Sequence, residues 1–174
     1  MNQSPSLTTA SVRPAAPADQ PGMLAAIAAS GLFLSDELGG IADTLTDYFA
    51  GPAGDEHHWI IIGNAHTLVG VAYYAPERMT NGTWNTYLIA VDAAHQGKGH
   101  GAALMAYIEA DLTERGARVL LVETSGLPSF ELTRAFYRKL GYDEEANIRE
   151  FYNAGEDKIV FRKALTSSKT SPAS

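Results

Sequence analysis

The 174-residue chain has no cysteine, only two tryptophans, and no apolar run near the roughly 18 residues that cross a bilayer. The missing cysteines exclude disulfides, thiolate zinc sites and a catalytic thiol together, and they fit a reducing compartment. The first ten residues, MNQSPSLTTA, have neither the basic start nor the apolar stretch of a signal peptide, so a cytoplasmic location is expected. Basic residues are the minority, 13 against 20 acidic ones, for a formal charge of -7. Nucleic acid and anionic membrane both want a basic face, so neither is expected as a partner. The five histidines show no His-Glu-x-x-His spacing, and no metal is expected. No Gly-x-Ser-x-Gly occurs either, which removes Ser125 as a nucleophile.

What is present is an ordinary globular composition, 45% apolar and 19% charged. The Ser/Thr-rich ends, 1–8 and 166–174, read as disordered around a single domain over 9–165. ASVRPAA reads as a first strand stopped by Pro14, and Asp19 as the cap of a helix running to about Ser30. SDELGGIADTLTDYFA is a second helical stretch. HHWIIIGN and TLVGVAYYA form a hairpin pattern, and WNTYLIAV is a further strand. Leu104, Ile108 and Leu112 recur at helical spacing, with Gly116 as the stop. RVLLVET looks like a strand buried on both faces. SFELTRAFYRKLGY is a helix with Leu132, Phe136 and Leu140 on one stripe, and NIREFY and KIVFRK make a final hairpin. The order implies an α+β domain with a mixed sheet.

Residues 95–105, HQGKGHGAALM, set three glycines at alternating positions ahead of a helix. Glycine adopts φ > 0 and lets backbone N–H groups face a ligand, and a helix N-terminus favours an anion there. A Walker loop fails, because Gly97-Lys98 is followed by Gly99 rather than Ser or Thr. Gly97, Gly99 and Ala102 fit the dinucleotide pattern G-x-G-x-x-A, with Glu123 about 20 residues on as the ribose acid. Against it, DAAHQ intervenes between Val91 and Gly97, and too few strands follow Glu123 for a doubly wound sheet.

Gln96-Gly97-Lys98-Gly99-His100-Gly101 matches Q/R-x-x-G-x-G/A without forcing. The stretch LIAVDAAHQGKGHGAALM then resembles the fourth strand, loop and third helix of the GNAT N-acetyltransferases. RVLLVET resembles that family's fifth strand and RAFYRKLGY its fourth helix, so the likeness covers about Trp84 to Tyr142. It implies a GNAT-like acyl-CoA N-acyltransferase fold, a mixed six- to seven-stranded sheet with about four helices. Acetyl-CoA is the implied co-substrate. The implied reaction is direct acetyl transfer to a primary amine of a small molecule, peptide or protein N-terminus, in a ternary complex. A non-catalytic acyl-CoA sensor on the same fold is the alternative. The resemblance also admits a homodimer.

Carried residue by residue, the resemblance gives the backbone of Ile89, Ala90 and Val91 to the pantetheine. It gives the pyrophosphate to Gln96, Gly97, Lys98, Gly99, His100, Gly101 and Ala102. Glu123 aligns with the catalytic glutamate of the ribosomal-protein alanine N-acetyltransferases, the branch closest in pattern. Ending an apolar strand, it is also a reasonable general base on its own terms, with Asp92 as the fallback. Tyr137 falls where the family places its general acid. Reference values near 10 for tyrosine and 8.5 for a thiol make full proton transfer uphill, so Tyr137 is expected to hydrogen-bond the leaving sulfur. Phe130 stands where many members carry an asparagine that contacts the cofactor. Phe33, Asp36, Tyr152, Glu156 and Asp157 are the residues expected to frame the acceptor, and solvation accounts for them equally well.

Overall fold

Strand-forming runs and amphipathic stretches alternate along the chain, and the observed elements follow them closely. The computed structural model describes residues 10–51, 56–64 and 67–166; the disorder expected at 1–8 lies outside these, as does that expected at 166–174 apart from Thr166. The elements are β1 (Ser11–Pro14), α1 (Gln20–Ala29), α2 (Ser35–Ala50), β2 (His58–Gly63), β3 (Leu68–Pro76), β4 (Thr83–Val91), α3 (His100–Glu114), β5 (Val119–Ser125), α4 (Glu131–Lys139), β6 (Asp143–Asn153) and β7 (Glu156–Ala164). The seven strands form one mixed sheet in the order β1-β2-β3-β4-β5-β7-β6. β4 and β5 are parallel, while β1–β2, β5–β7 and β6–β7 are antiparallel. Among the described residues no helix is long and apolar enough to cross a membrane. The chain divides into two compact units, Met1–Tyr73 with Leu88–Met105, and Tyr74–Tyr87 with Ala106–Ser174.

In the first unit, α1 places Met23, Ala26 and Ile27 at helical spacing, and all three are buried. They join Leu45 of α2, Trp59 and Ile61 of β2, Val71 of β3 and Ala90 of β4 in one core cluster. Asp19 departs from its expected role. Its carboxylate makes no bond to the α1 backbone; it accepts from Ala16 N at 2.8 Å and pairs with the Arg13 guanidinium at 2.7 and 2.8 Å. That pairing holds the Asp19 carboxyl below the usual carboxylate range. The residue therefore ties β1 to the turn before the helix.

In the second unit, β5 runs parallel to β4 on one side and antiparallel to β7 on the other. Two expectations need correction here. First, β5 is not buried on both faces: Leu120, Val122 and Thr124 are buried, whereas Val119, Leu121 and Glu123 are only half-buried. An apolar run hid a strand with one open face. Second, Leu132 lies outside the α4 stripe and is 86% exposed, while Arg134 and Tyr137 point inward. Arg134 wins the inner position because it donates to Ser125 O at 2.7 Å and Leu127 O at 2.9 Å, carbonyls no leucine can satisfy. α3 behaves as expected, with Leu104, Ile108 and Leu112 fully buried.

These placements separate two truncations. Ile108→Ala opens a cavity in the core and should cost about 2–5 kcal/mol. Leu132→Ala should stay within about 0.5 kcal/mol, as exposed substitutions do. Urea unfolding of both variants measures the contrast, and equal losses would restore Leu132 to the core.

Candidate functional site

The glycine loop is built outward from the end of β4, within the first unit. Asp92 N donates to Val69 O at 2.8 Å, and the Asp92 carboxylate accepts from Ala94 N at 2.9 Å, capping a short turn at Ala93–His95. The fallback base is thus engaged in holding the loop. Gln96 braces the next step: its side-chain amide donates to Val91 O at 2.9 Å and to Ser30 O at 3.3 Å. Gly97 and Gly99 then take φ of 72° and 86°, which only glycine adopts without strain.

α3 starts at His100, and its first closed bond is Ala103 N to Gly99 O at 3.0 Å. The six amides from Gly97 to Ala102 donate to no acceptor among the described residues. A Cβ built on Gly97 or Gly99 would meet nothing within 4 Å, so their outer side is open. Six unpartnered N–H groups at the positive end of a 15-residue helix are a strong anion cradle. Lys98 lies back on the loop, its Nζ 3.2 Å from Ala94 O, and the His100 ring stands 6.3 Å from that of His95. On β4, Ala90 is buried and Ile89 and Val91 are half-buried.

The remaining expected residues belong to the second unit. The β4–β5 ladder pairs Thr83–Thr86 with Val119–Val122 and ends there, although β5 continues to Ser125. Glu123 is the first β5 residue past the ladder. Its carboxylate lies 3.1 Å from Lys158 Nζ of β7, and Lys158 is only 8% exposed. The Lys158 ammonium also sits 3.7 Å from the centre of the Phe151 ring. Burial, with the Glu123 and Glu156 carboxylates, pushes the Tyr152 hydroxyl up to about 12.

Tyr137 is 2% exposed, packed against Phe136, Phe161 and Tyr142 with ring centres 5.2, 5.5 and 6.0 Å away. Burial alone raises its pKa well above the usual phenol value. Its hydroxyl has no hydrogen-bond partner among the described residues. Phe130 closes a short turn before α4.

Of the residues expected to frame an acceptor, Phe33 packs against the first unit's core and Asp36 is exposed. Asp157 accepts from Glu150 N at 2.9 Å, fixing the final hairpin, and Glu156 accepts from Asn153 at 3.1 Å. Sequence reasoning missed Lys158 and Arg134. For Lys158 the alternation of β7 gave no signal: Ile159 and Phe161 take the covered face, and Lys158 lies on the other with the half-buried Val160 and Arg162.

A family model described as an acetyltransferase (GNAT) domain matches residues 54–144, a span that contains the cradle, Glu123 and Tyr137. The chain belongs to the GNAT acetyltransferases. A structure of a protein assigned to that family from Desulfovibrio desulfuricans superposes with a TM-score of 0.85 at 30% identity, covering 91% of this chain and 100% of that one. The ribosomal-protein-S18-alanine N-acetyltransferase of Escherichia coli shares the fold at a TM-score of 0.73 and 18% identity, covering 94% and 99%. A Salmonella typhimurium protein solved with its cofactor acetyl-CoA does so at 0.69 and 17%, covering 95% and 99%. No curated protein sequence matches. Among the described residues, the seven-stranded mixed sheet and four helices are those of a GNAT enzyme, as the resemblance implied.

The burial of Tyr137 has a spectroscopic consequence. At about pH 10.5 an ordinary tyrosine is mostly ionised, but this one should remain a phenol. Tyr137→Phe should therefore leave tyrosinate absorbance of the folded protein unchanged at that pH. A loss equal to one of the eight tyrosines would show that Tyr137 titrates normally.

Proposed function

We propose that this GNAT enzyme transfers the acetyl group of acetyl-CoA to a primary amine by direct attack in a ternary complex. The observation that carries the reading is the cradle of six unpartnered amides, Gly97 to Ala102, opening α3. Acetyl-CoA is the co-substrate. Its pyrophosphate needs several donors and no side chain in the way, and the open sides of Gly97 and Gly99 meet both demands. Lys98 and His100 add positive character, and Gln96 holds the loop in shape. The backbone of Ile89, Ala90 and Val91 pairs with the pantetheine.

In the reaction a C–N bond forms and the thioester C–S bond breaks. An alkylammonium, with a reference pKa near 10.4, must first lose a proton. Glu123 takes it, directly or through a water. Tyr137 donates a hydrogen bond to the departing sulfur and keeps its proton, because burial holds the phenol far above a thiol, and the thiolate takes up the second proton that the acylated nitrogen sheds. The acceptor is a small molecule, a peptide or a protein N-terminus.

Two experiments test this assignment. Gly99→Val imposes a β-branched side chain at φ 86° and should weaken acetyl-CoA at least tenfold, about 1.4 kcal/mol, by calorimetry. Unchanged affinity in a folded variant would move the cradle elsewhere. Glu123→Gln should slow thiol release against an amine panel by roughly 10²- to 10⁴-fold. The deficit should shrink as pH approaches the amine's own pKa, where free amine needs no base. Binding of acetyl-CoA with no release against any amine would make the protein a sensor instead.

A further inference from the structure

The ion pair at Glu123 creates a difficulty that the acceptor itself can resolve. Ser125 faces Lys158 and Glu123 faces Val160 in the β5–β7 ladder, so Glu123 and Lys158 are diagonal neighbours on one face. Lys158 is 8% exposed, and its contacts are the Glu123 carboxylate at 3.1 Å and the Phe151 ring at 3.7 Å. An ammonium carries three N–H donors, and these two contacts leave at least one without an acceptor among the described residues. When Glu123 takes a proton it becomes neutral. Lys158 is then a nearly buried cation without a counter-charge, a strongly unfavourable state. A second anion beside Lys158 removes that penalty.

We infer that the acceptor supplies this anion: the preferred substrate is an α-amino acid, whose carboxylate is held by Lys158 while its ammonium meets Glu123. The inference rests on the reading of Glu123 as the base. The geometry suits it, because a reacting amine must come within about 3 Å of the base. The carboxylate of an α-amino acid lies two bonds from that nitrogen, and Lys158 Nζ is 3.1 Å from the Glu123 oxygen. The charges balance at every stage. The zwitterion enters with no net charge, its ammonium against Glu123 and its carboxylate against Lys158. After proton transfer the neutral amine attacks the thioester, Glu123 is uncharged, and the substrate carboxylate remains as the counter-ion of Lys158. A plain alkylamine brings no such anion, and an amide carbonyl replaces it only weakly. Lys158 is thus a specificity-determining residue, carried on the final hairpin.

The test uses matched triads: glycine, glycinamide and methylamine, with the corresponding sets built on valine and phenylalanine in both enantiomers. Thiol release from acetyl-CoA gives kcat/KM for each. In the unmodified enzyme at least one free acid should exceed its amine at least tenfold, with the amide between. In Lys158→Met, which keeps an unbranched chain against Phe151, the ratio should fall toward one, and Lys158→Arg should restore it. Lys158→Gln gives a second neutral variant should the methionine protein fail to fold by circular dichroism. Acids that are inert or no faster than their amines, or a ratio that survives in the neutral variants, would overturn the inference. Glu123→Gln separates the two layers. Full activity in that variant overturns the base reading and the inference with it; lost activity alongside equal rates for acid and amine overturns the inference alone.

Discussion

The left-handed backbone at Gly97 and Gly99 is the constraint from which the cradle follows. Between the end of β4 at Val91 and the start of α3 at His100 the chain must reverse into a helix, and with φ of 72° and 86° the two glycines do so without strain and without a side chain on the open side. Gly97 to Gly99 precede α3 and His100 to Ala102 open it, so none of the six amides meets an intrahelical acceptor. Two fastenings keep the loop there: Gln96 bonded to Val91 O and Ser30 O, and Asp92 bonded to Ala94 N. Leu104, Ile108 and Leu112 fix α3 by burial, so the His100, Gly101 and Ala102 amides belong to an anchored helix. An anion placed there meets a preformed set of dipoles, and the ordering cost was met during folding.

The second unit depends on a different economy of charge. Arg134 sits on the inner side of α4 and holds the carbonyls of Ser125, which ends β5, and of Leu127 in the loop after it. Lys158 sits within β7 and neutralises Glu123. Both are long cations in positions that apolar residues usually fill, and both lie beside the segment that carries Glu123. Their burial is tolerable only because each has a fixed acceptor. Removing an acceptor, by mutation or by protonation, therefore reaches further than one bond.

How much of this was legible follows from locality. The glycine loop was readable because three alternating glycines before a helix have few other uses, and α3 because its apolar spacing is unbroken from Leu104 to Leu112. β5 was misread because Val119 and Leu121 are apolar on the less covered face, so the run concealed its own alternation. Leu132 was misplaced because helical spacing cannot show that two carbonyls need Arg134. The Glu123–Lys158 pair joins residues on two strands far apart in the chain, and only the ladder register brings them together. Local rules recover elements and loops; pairings between distant strands come from the fold alone.

β6 is exposed along its whole length and ends the sheet order, so its outer edge is unpaired among the described residues. Ile148, Phe151 and Tyr152 on it are 44%, 51% and 40% exposed, a sticky composition for such an edge. Asp143, Glu144, Glu145 and Glu150 are interspersed with them, and the chain takes φ of 52° at Glu150, within an irregular stretch of the ladder. Like charges and a kink keep a second strand from adding on. The electrostatic half of that protection is screened by salt, whereas the kink is not. At high ionic strength the kink at Glu150 is left as the guard of this edge.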